Sequence, residues 1–125
     1  MNYELMNGGE LAFVGDACMT LQVREYLLKK GITQLKKLQQ LQVHYVSATS
    51  QAKVAHAIEE ELNEKEKEIY LRGRNFKSHS SAKNANVIDY RYATALEALW
   101  GYWYLTEQKE RLEEMFGRML EILDE

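Results

Sequence analysis

Two carboxylates stand in stretches that are otherwise free of charge. In ELAFVGDACMTL (residues 10–21), Asp16 is the one charge between Glu10 and Arg24. In YATALEALWGYWYL (residues 92–105), Glu97 is the one charge between Arg91 and Glu107. A carboxylate taken out of water is costly unless a partner compensates it. Two readings fit this spacing. In the first, each acid faces solvent or pairs with an arginine such as Arg24 or Arg91. In the second, both helices present their acid to one divalent metal site, and a hard cation such as Mg²⁺ takes oxygen ligands while keeping several waters of its own. Gly15 beside Asp16 and Gly101 after Glu97 each cost a helix interior about 1 kcal/mol relative to Ala. Close packing of the two helices at those points would explain both.

The elements that must position these acids read as helices. Leu11, Phe13, Val14, Ala17, Cys18, Leu21, Tyr26, Leu27 and Leu28 recur at helical spacing and stop at Lys29-Lys30-Gly31, basic residues followed by a C′ glycine. Thr33 is the expected N-cap of a short helix through Leu35, Leu38 and Leu41. Ser47 is that of a helix carrying Val54, Ala55 and Ile58. Glu64 to about Leu71 predicts a short charged helix, Asp89 opens a strongly apolar one, and Glu110 to Leu123 forms a last amphipathic one. Between them, residues 72–88 (RGRNFKSHSSAKNANVI) lack periodicity and read as a loop, long enough to suggest a function of its own. Nothing alternates with period two. The expectation is an all-α chain of six or so helices, with residues 1–125 forming a single domain.

Composition supports this. The chain has 125 residues, 46% hydrophobic and 28% charged, seven glycines and no proline, which disfavours a turn-rich β-sandwich. No apolar run approaches the ~18 residues of a membrane span, and no membrane partner is expected. The acidic N-terminus does not resemble a secretory signal. The lone Cys18 excludes an intramolecular disulfide and a cysteine-based zinc site. A cytoplasmic setting follows. The net charge of −3 is unevenly spread: residues 59–68 (six Glu, two Lys) and 107–125 (seven acids, three bases) each carry −4, whereas residues 69–106 (five bases, two acids) carry +3. A polyanion responds to that local field, since charges beyond about 8 Å are screened at physiological salt.

Four segments carry a family resemblance. ELAFVGDACMTLQVREYL resembles the signature helix of the ribonuclease III catalytic domain, and ATALEALWGYWYL resembles its second conserved helix, where Glu-Ala-Leu-X-Gly holds a metal-binding acid. With LRGRNFKS and YVSATSQA they look like the small Mini-ribonuclease III branch, which lacks the double-stranded-RNA-binding domain; the resemblance runs from about Gly9 to Leu105. It implies a ribonuclease III endonuclease-domain-like helical bundle that works as a homodimer, uses Mg²⁺ and cleaves double-stranded RNA. It also implies a role in maturing the precursor of the large ribosomal RNA, with a large-subunit ribosomal protein on that substrate. The rival is a non-catalytic helical module that binds structured RNA.

Position by position, Asp16 falls on the family's Gly-Asp aspartate and Glu97 on its Glu-Ala-Leu glutamate, so these two are the expected catalytic and metal-binding residues. Gly9, Ala12 and Thr94 stand where the larger enzymes have further acids. At about 100° per residue, Gly9 and Ala12 share the face of Asp16, while Glu10 lies about 120° away and is a poor substitute ligand. Thr94 shares the face of Glu97: its hydroxyl could orient a metal-bound water, or it is an ordinary packed residue. Arg72, Arg74, Asn75, Lys77, Ser78 and Lys83 are the expected RNA contacts, cations for phosphates and small hydrogen-bonding groups for sugars. Phe13 is a candidate dimer-interface residue and could equally be core. Cys18 and the cluster Trp100, Tyr102, Trp103 and Tyr104 read as packing residues, and His44 and His56 are too isolated to be ligands.

Overall fold

The structure, a computed structural model, describes residues 1–77 and 86–124. Every regular element among them is helical, as composition and periodicity lead one to expect. Six α-helices follow in order: α1 (Gly8–Lys29), α2 (Leu35–Val46), α3 (Ala48–Ile58), α4 (Glu64–Arg74), α5 (Val87–Leu105) and α6 (Lys109–Leu123). Single 3-10 turns sit at Tyr3–Leu5 and Glu59–Glu61.

Helix ends are set by local chemistry. Asn7 and Glu10 form a reciprocal capping box at the start of α1: the Glu10 N–H donates to Asn7 Oδ1 at 2.8 Å, and the Asn7 N–H donates to Glu10 Oε1 at 2.9 Å. Glu10 is thereby spent on the helix terminus. The same helix ends at Gly31, whose φ of 87° is the left-handed conformation that suits a residue without a Cβ. Ser47 caps α3, as expected. Thr33 does not cap α2; Gln34 occupies that position and makes no side-chain cap bond.

Helix α5 is the centre of the molecule, packed on α1, α3, α4 and α6. Ala95, Leu96, Ala98, Leu99, Trp100 and Trp103 are all fully buried there, as expected for a helix that is apolar around its circumference. Tyr104 departs from the expected core cluster: it is 56% exposed and projects from the surface. Helices α1 and α5 touch backbone to backbone. A Cβ on Gly15 would run into the carbonyl of Glu97, and one on Gly101 into the carbonyl of Leu11. This close approach is the reason both glycines are tolerated in mid-helix.

Glu66 anchors the opposite flank. It is 2% exposed and accepts from Trp103 Nε1 (2.8 Å), from the Asn63 N–H (3.0 Å) and from two nitrogens of Arg111 (2.9 Å each). Burial pushes its carboxyl pKa up, but the Arg111, Asn63 and Trp103 hydrogen bonds outweigh that and hold it below the usual value.

Of the loop expected over residues 72–88, residues 78–85 lie outside the described residues, and the two ends, 72–74 and 87–88, are helical. Helix α4 continues through Arg74 and α5 begins at Val87, because Gly73 packs against Ala95 and Ala98 of α5 and that tertiary contact holds the last turn. Asn86, whose side chain accepts from the Ile88 N–H, caps α5 in place of Asp89.

Candidate active site

Helical arithmetic puts Gly9, Ala12 and Asp16 on one stripe of α1, and Tyr90, Thr94 and Glu97 on one stripe of α5. The glycine crossing presses the two stripes together, and they form the two walls of a cleft of about 300 Å³. Phe13 and Phe76 complete its rim. Asp16 is exposed and Glu97 half-buried, so one acid stands at the mouth and the other at the floor.

Both carboxyl groups line this one cleft. Burial first, then the hydrogen bond and the charge of Asp16, push the Glu97 carboxyl up to about 9, and the amide of Gln51 draws it partway back. Crowded carboxylates of this kind need a proton or a cation between them. Neither arginine offered as a partner supplies one: Arg24 Nε donates to Gln42 at 2.7 Å, and Arg91 Nε donates to the Arg74 carbonyl at 3.1 Å. Among the described residues no third Asp, Glu, His or Cys joins the pair. The donor set therefore suits a hard cation held by two carboxylates with water in its remaining positions.

The positions where the larger enzymes carry acids are filled differently. The Phe76 ring lies directly over Gly9, in the space that a side chain there would need. Ala12 is 6% exposed and forms part of the cleft wall. Thr94 is buried against the cleft and donates its hydroxyl proton to the Tyr90 carbonyl at 2.9 Å. Its oxygen can thus accept a hydrogen bond from a water in the cleft but has no proton left to offer.

The expected RNA contacts separate into three groups. Arg72 is not on a loop: it lies in α4, where Nη1 donates to the carbonyls of Glu4 (2.6 Å) and Met6 (2.7 Å) and Nη2 pairs with Glu68 (2.6 Å). It staples the N-terminal segment to α4, beside Gly8, with three of its five N–H groups held in that clamp. Arg74 ends the same helix, with Nε on the side chain of Asn75 at 3.1 Å, and Lys77 is exposed next to Phe76. Ser78 and Lys83 lie outside the described residues. Phe13 is not core: it is 82% exposed, on the rim between this cleft and an apolar groove of about 660 Å³. That groove runs past Ala17, Leu21, Tyr104 and Leu112. Cys18 is half-buried, and burial raises its thiol pKa.

Sequence reasoning missed Tyr90, Phe76 and Gln51. Tyr90 was within reach of the face arithmetic, being one turn before Thr94. Phe76 had no local signal, because its place depends on how α4 packs against α1 and α5. Gln51 carried a faint one, as a polar residue on the side of α3 that also holds Val54, Ala55 and Ile58.

Comparison with known proteins shows the family and the fold. Residues 9–108 match the ribonuclease III domain. Among similar proteins, a Mini-ribonuclease 3 from Enterococcus faecalis is 48% identical over 118 residues, covering 93% of this chain and 89% of the relative. One from Streptococcus pneumoniae is 49% identical over 117 residues, covering 92% and 91%. A crystal structure of a Fusobacterium nucleatum protein superposes with a TM-score of 0.85 at 31% identity, covering 92% of this chain and 93% of that one.

Proposed function

This chain belongs to the ribonuclease III family, and from that premise we propose that it hydrolyses double-stranded RNA with Mg²⁺ held between Asp16 and Glu97. It is an endoribonuclease of the ribonuclease III type, a family that acts on double-stranded RNA, generally depends on divalent metal and usually works as a dimer. The observation that carries the proposal is the convergence of the two acids, from different helices, on one cleft where burial and mutual repulsion leave them in want of a cation. Residues 1–125 act as one catalytic domain.

Bound there, Mg²⁺ supplies charge neutralisation at the phosphate and lowers the pKa of water. The protein's own part is positioning. Asp16 at the mouth and Glu97 at the floor are two hard donors on different helices, so the site exists only while α1 and α5 stay in contact. Thr94 accepts a hydrogen bond from a water in the cleft and so limits its orientations. Phe13 and Phe76 wall the rim and narrow the approach of bulk water. No side chain serves as nucleophile. The test is cleavage of an end-labelled RNA duplex with and without Mg²⁺: Asp16→Asn is expected to abolish cleavage while leaving the helical content intact. Full activity in that variant would refute the assignment.

Duplex RNA is held by Arg74 with Asn75 and by Lys77, joined by Arg91 beside Tyr90; Ser78 and Lys83 extend that basic segment. Arg72, with three of its five N–H groups held by Glu4, Met6 and Glu68, contributes chiefly to the fold. Replacing Arg74, Lys77 and Arg91 together by Ala is expected to weaken duplex binding and to flatten the salt dependence by about 0.9 log units per lost phosphate contact. Arg72→Ala is expected to lower the melting temperature and leave that slope alone. Filter binding between 50 and 200 mM salt (roughly the range over which such contacts are lost) reads both, and a triple variant with the parental slope would remove these residues from the interface.

A second copy of the chain covers the apolar groove at Phe13, Leu21 and Tyr104, giving a two-fold homodimer with two clefts along one duplex. Phe13→Asp is expected to yield a monomer in sedimentation velocity, and a variant that stays dimeric would place the interface elsewhere. The natural substrate under this reading is the precursor of the large-subunit ribosomal RNA in the cytoplasm, carrying a large-subunit ribosomal protein. No helix among the described residues is long and apolar enough to cross a membrane.

A further inference from the structure

Residues 26–58 contain five lysines and not one Asp or Glu, in a chain that has 19 acids. Four of those lysines, Lys29, Lys30, Lys36 and Lys37, crowd the turn between α1 and α2, and all four are exposed. On the other helices, Lys65, Arg72, Arg111 and Arg118 each pair with a glutamate. Among the described residues none of the four lysines has an acidic partner. Lys30 lies over the Tyr26 ring instead, 5.2 Å from its centroid.

Helix stability accounts for only half of this charge. Lys29 and Lys30 suit the negative C-terminal end of α1. Lys36 and Lys37 stand in the first turn of α2, where no acid is present and Gln34 makes no side-chain cap bond. Cations at that positive end of a helix are unfavourable, so α2 gains nothing from them locally. At about 100° per residue, Lys36, Lys37 and Gln40 share the side of α2 turned from its buried Tyr45. Thr33 and Gln34, also exposed, add hydrogen-bonding groups beside them.

The face has a fixed relation to the cleft. Leu27 is eleven residues beyond Asp16 and only about 20° round α1 from it, and it lines a notch with Leu35 and Leu38 of α2. Arg24 Nε, donating to Gln42 at 2.7 Å, ties the same two helices. Helix α2 thus covers the continuation of the stripe that carries Asp16, and its outer side looks out on the side where the cleft opens. From Asp16 to Lys30 is fourteen residues, about 21 Å along α1 at 1.5 Å per residue.

We propose that the α1–α2 face, led by Lys36 and Lys37, is a second contact for duplex RNA, separate from the group of Arg74, Lys77 and Arg91. It grips phosphates away from the scissile bond, and its amides and hydroxyl suit the sugars. The inference rests on the reading of the chain as a duplex-RNA nuclease. A protein is the competing occupant, since Leu28 and Leu35 are 57% and 67% exposed beside the lysines. Charge favours the polyanion: protein interfaces are depleted in lysine, whereas 33 residues without an acid offer a phosphate row nothing to repel it.

Lys36→Ala/Lys37→Ala is the test. Both cations oppose the α2 dipole, so the variant is expected to fold at least as stably as the parent. Filter binding of an RNA duplex in EDTA, over a salt titration, is expected to give a slope flatter by about 0.9 log units per lost phosphate contact. In cleavage with Mg²⁺, KM for the duplex rises while kcat stays parental. Lys36→Arg/Lys37→Arg keeps the charge and is expected to restore the parental slope. A parental slope and KM in the alanine variant would overturn the inference and leave the face to a protein. A fall in kcat at parental KM would also overturn it, by placing the lysines in the chemistry. The parent protein separates the two levels of failure: no duplex binding there would sink the RNA reading itself, whereas parental binding with an unaltered alanine variant would sink only the second contact.

Discussion

Glu97→Gln is expected to end cleavage and, at the same time, to stabilise the metal-free protein at alkaline pH. The loss of activity follows from removing one of two anionic ligands; a drop of about 10²–10³-fold or more is the scale for losing one group that stabilises charge in a transition state. The gain in stability follows from linkage. In the fold, the Glu97 carboxyl is raised to about 9, first by burial and then by Asp16, against about 4.3 in an unfolded chain. Between those two values the unfolded state has released a proton that the folded state still holds, so stability falls as pH rises across that window. One such proton contributes a slope of at most about 1.4 kcal/mol per pH unit. Below the window both states are protonated and the contribution is complete; above it both are ionised and the slope vanishes. Glutamine does not titrate, so the variant lacks this part of the slope. Urea unfolding in EDTA from pH 5 to 9 measures the difference. Added Mg²⁺ should then stabilise the parent at pH 8 and leave the variant unmoved, since a ligand stabilises only the state that binds it. Parallel pH profiles for the two proteins would contradict the crowded-acid geometry.

Gly15→Ala is expected to damage fold and site together. The added Cβ would collide with the carbonyl of Glu97, a backbone atom that cannot rotate away. Overpacking costs about 1–3 kcal/mol where side chains can adjust, and this contact leaves only the option of moving α1 away from α5. Those helices carry Asp16 and Glu97, so the same displacement widens the acid pair. A misplacement of about 1 Å can cost 10²-fold in rate. The expected result is a clear fall in urea midpoint and a much larger fall in kcat than in duplex affinity. Gly117→Ala, in α6 with nothing near its missing Cβ, should show neither effect. A Gly15→Ala protein as stable and active as its parent would mean that the helices do not cross where the structure has them.

Much of the molecule was legible from residue order. Periodicity, charge and run length together pointed to a helix in each of the six places, and an apolar face repeating every three to four residues has few other uses. Glycines at positions 15 and 101, unfavourable in isolation, already pointed to close helix contact. Asp16 and Glu97 stood out for a related reason: a charge inside an apolar helix needs an explanation that its neighbours in sequence do not provide. The placing of Phe13 in the core or at an interface remained open in the residues, and its 82% exposure ended the core alternative.

Other features depend on distance along the chain being folded away. Arg72 has the composition and setting of a phosphate contact, yet its Nη1 donates to the carbonyls of Glu4 and Met6, groups more than sixty residues earlier. Phe76 over Gly9 and Gln51 against Met19 likewise arise between segments remote in sequence. Residue types and local spacing determined which helices form and which acids are anomalous, since both follow from interactions within a few turns. Only the tertiary structure decided that the acids share one cleft and that one arginine is a staple, because each depends on which helices lie side by side, a choice made by packing the whole core at once.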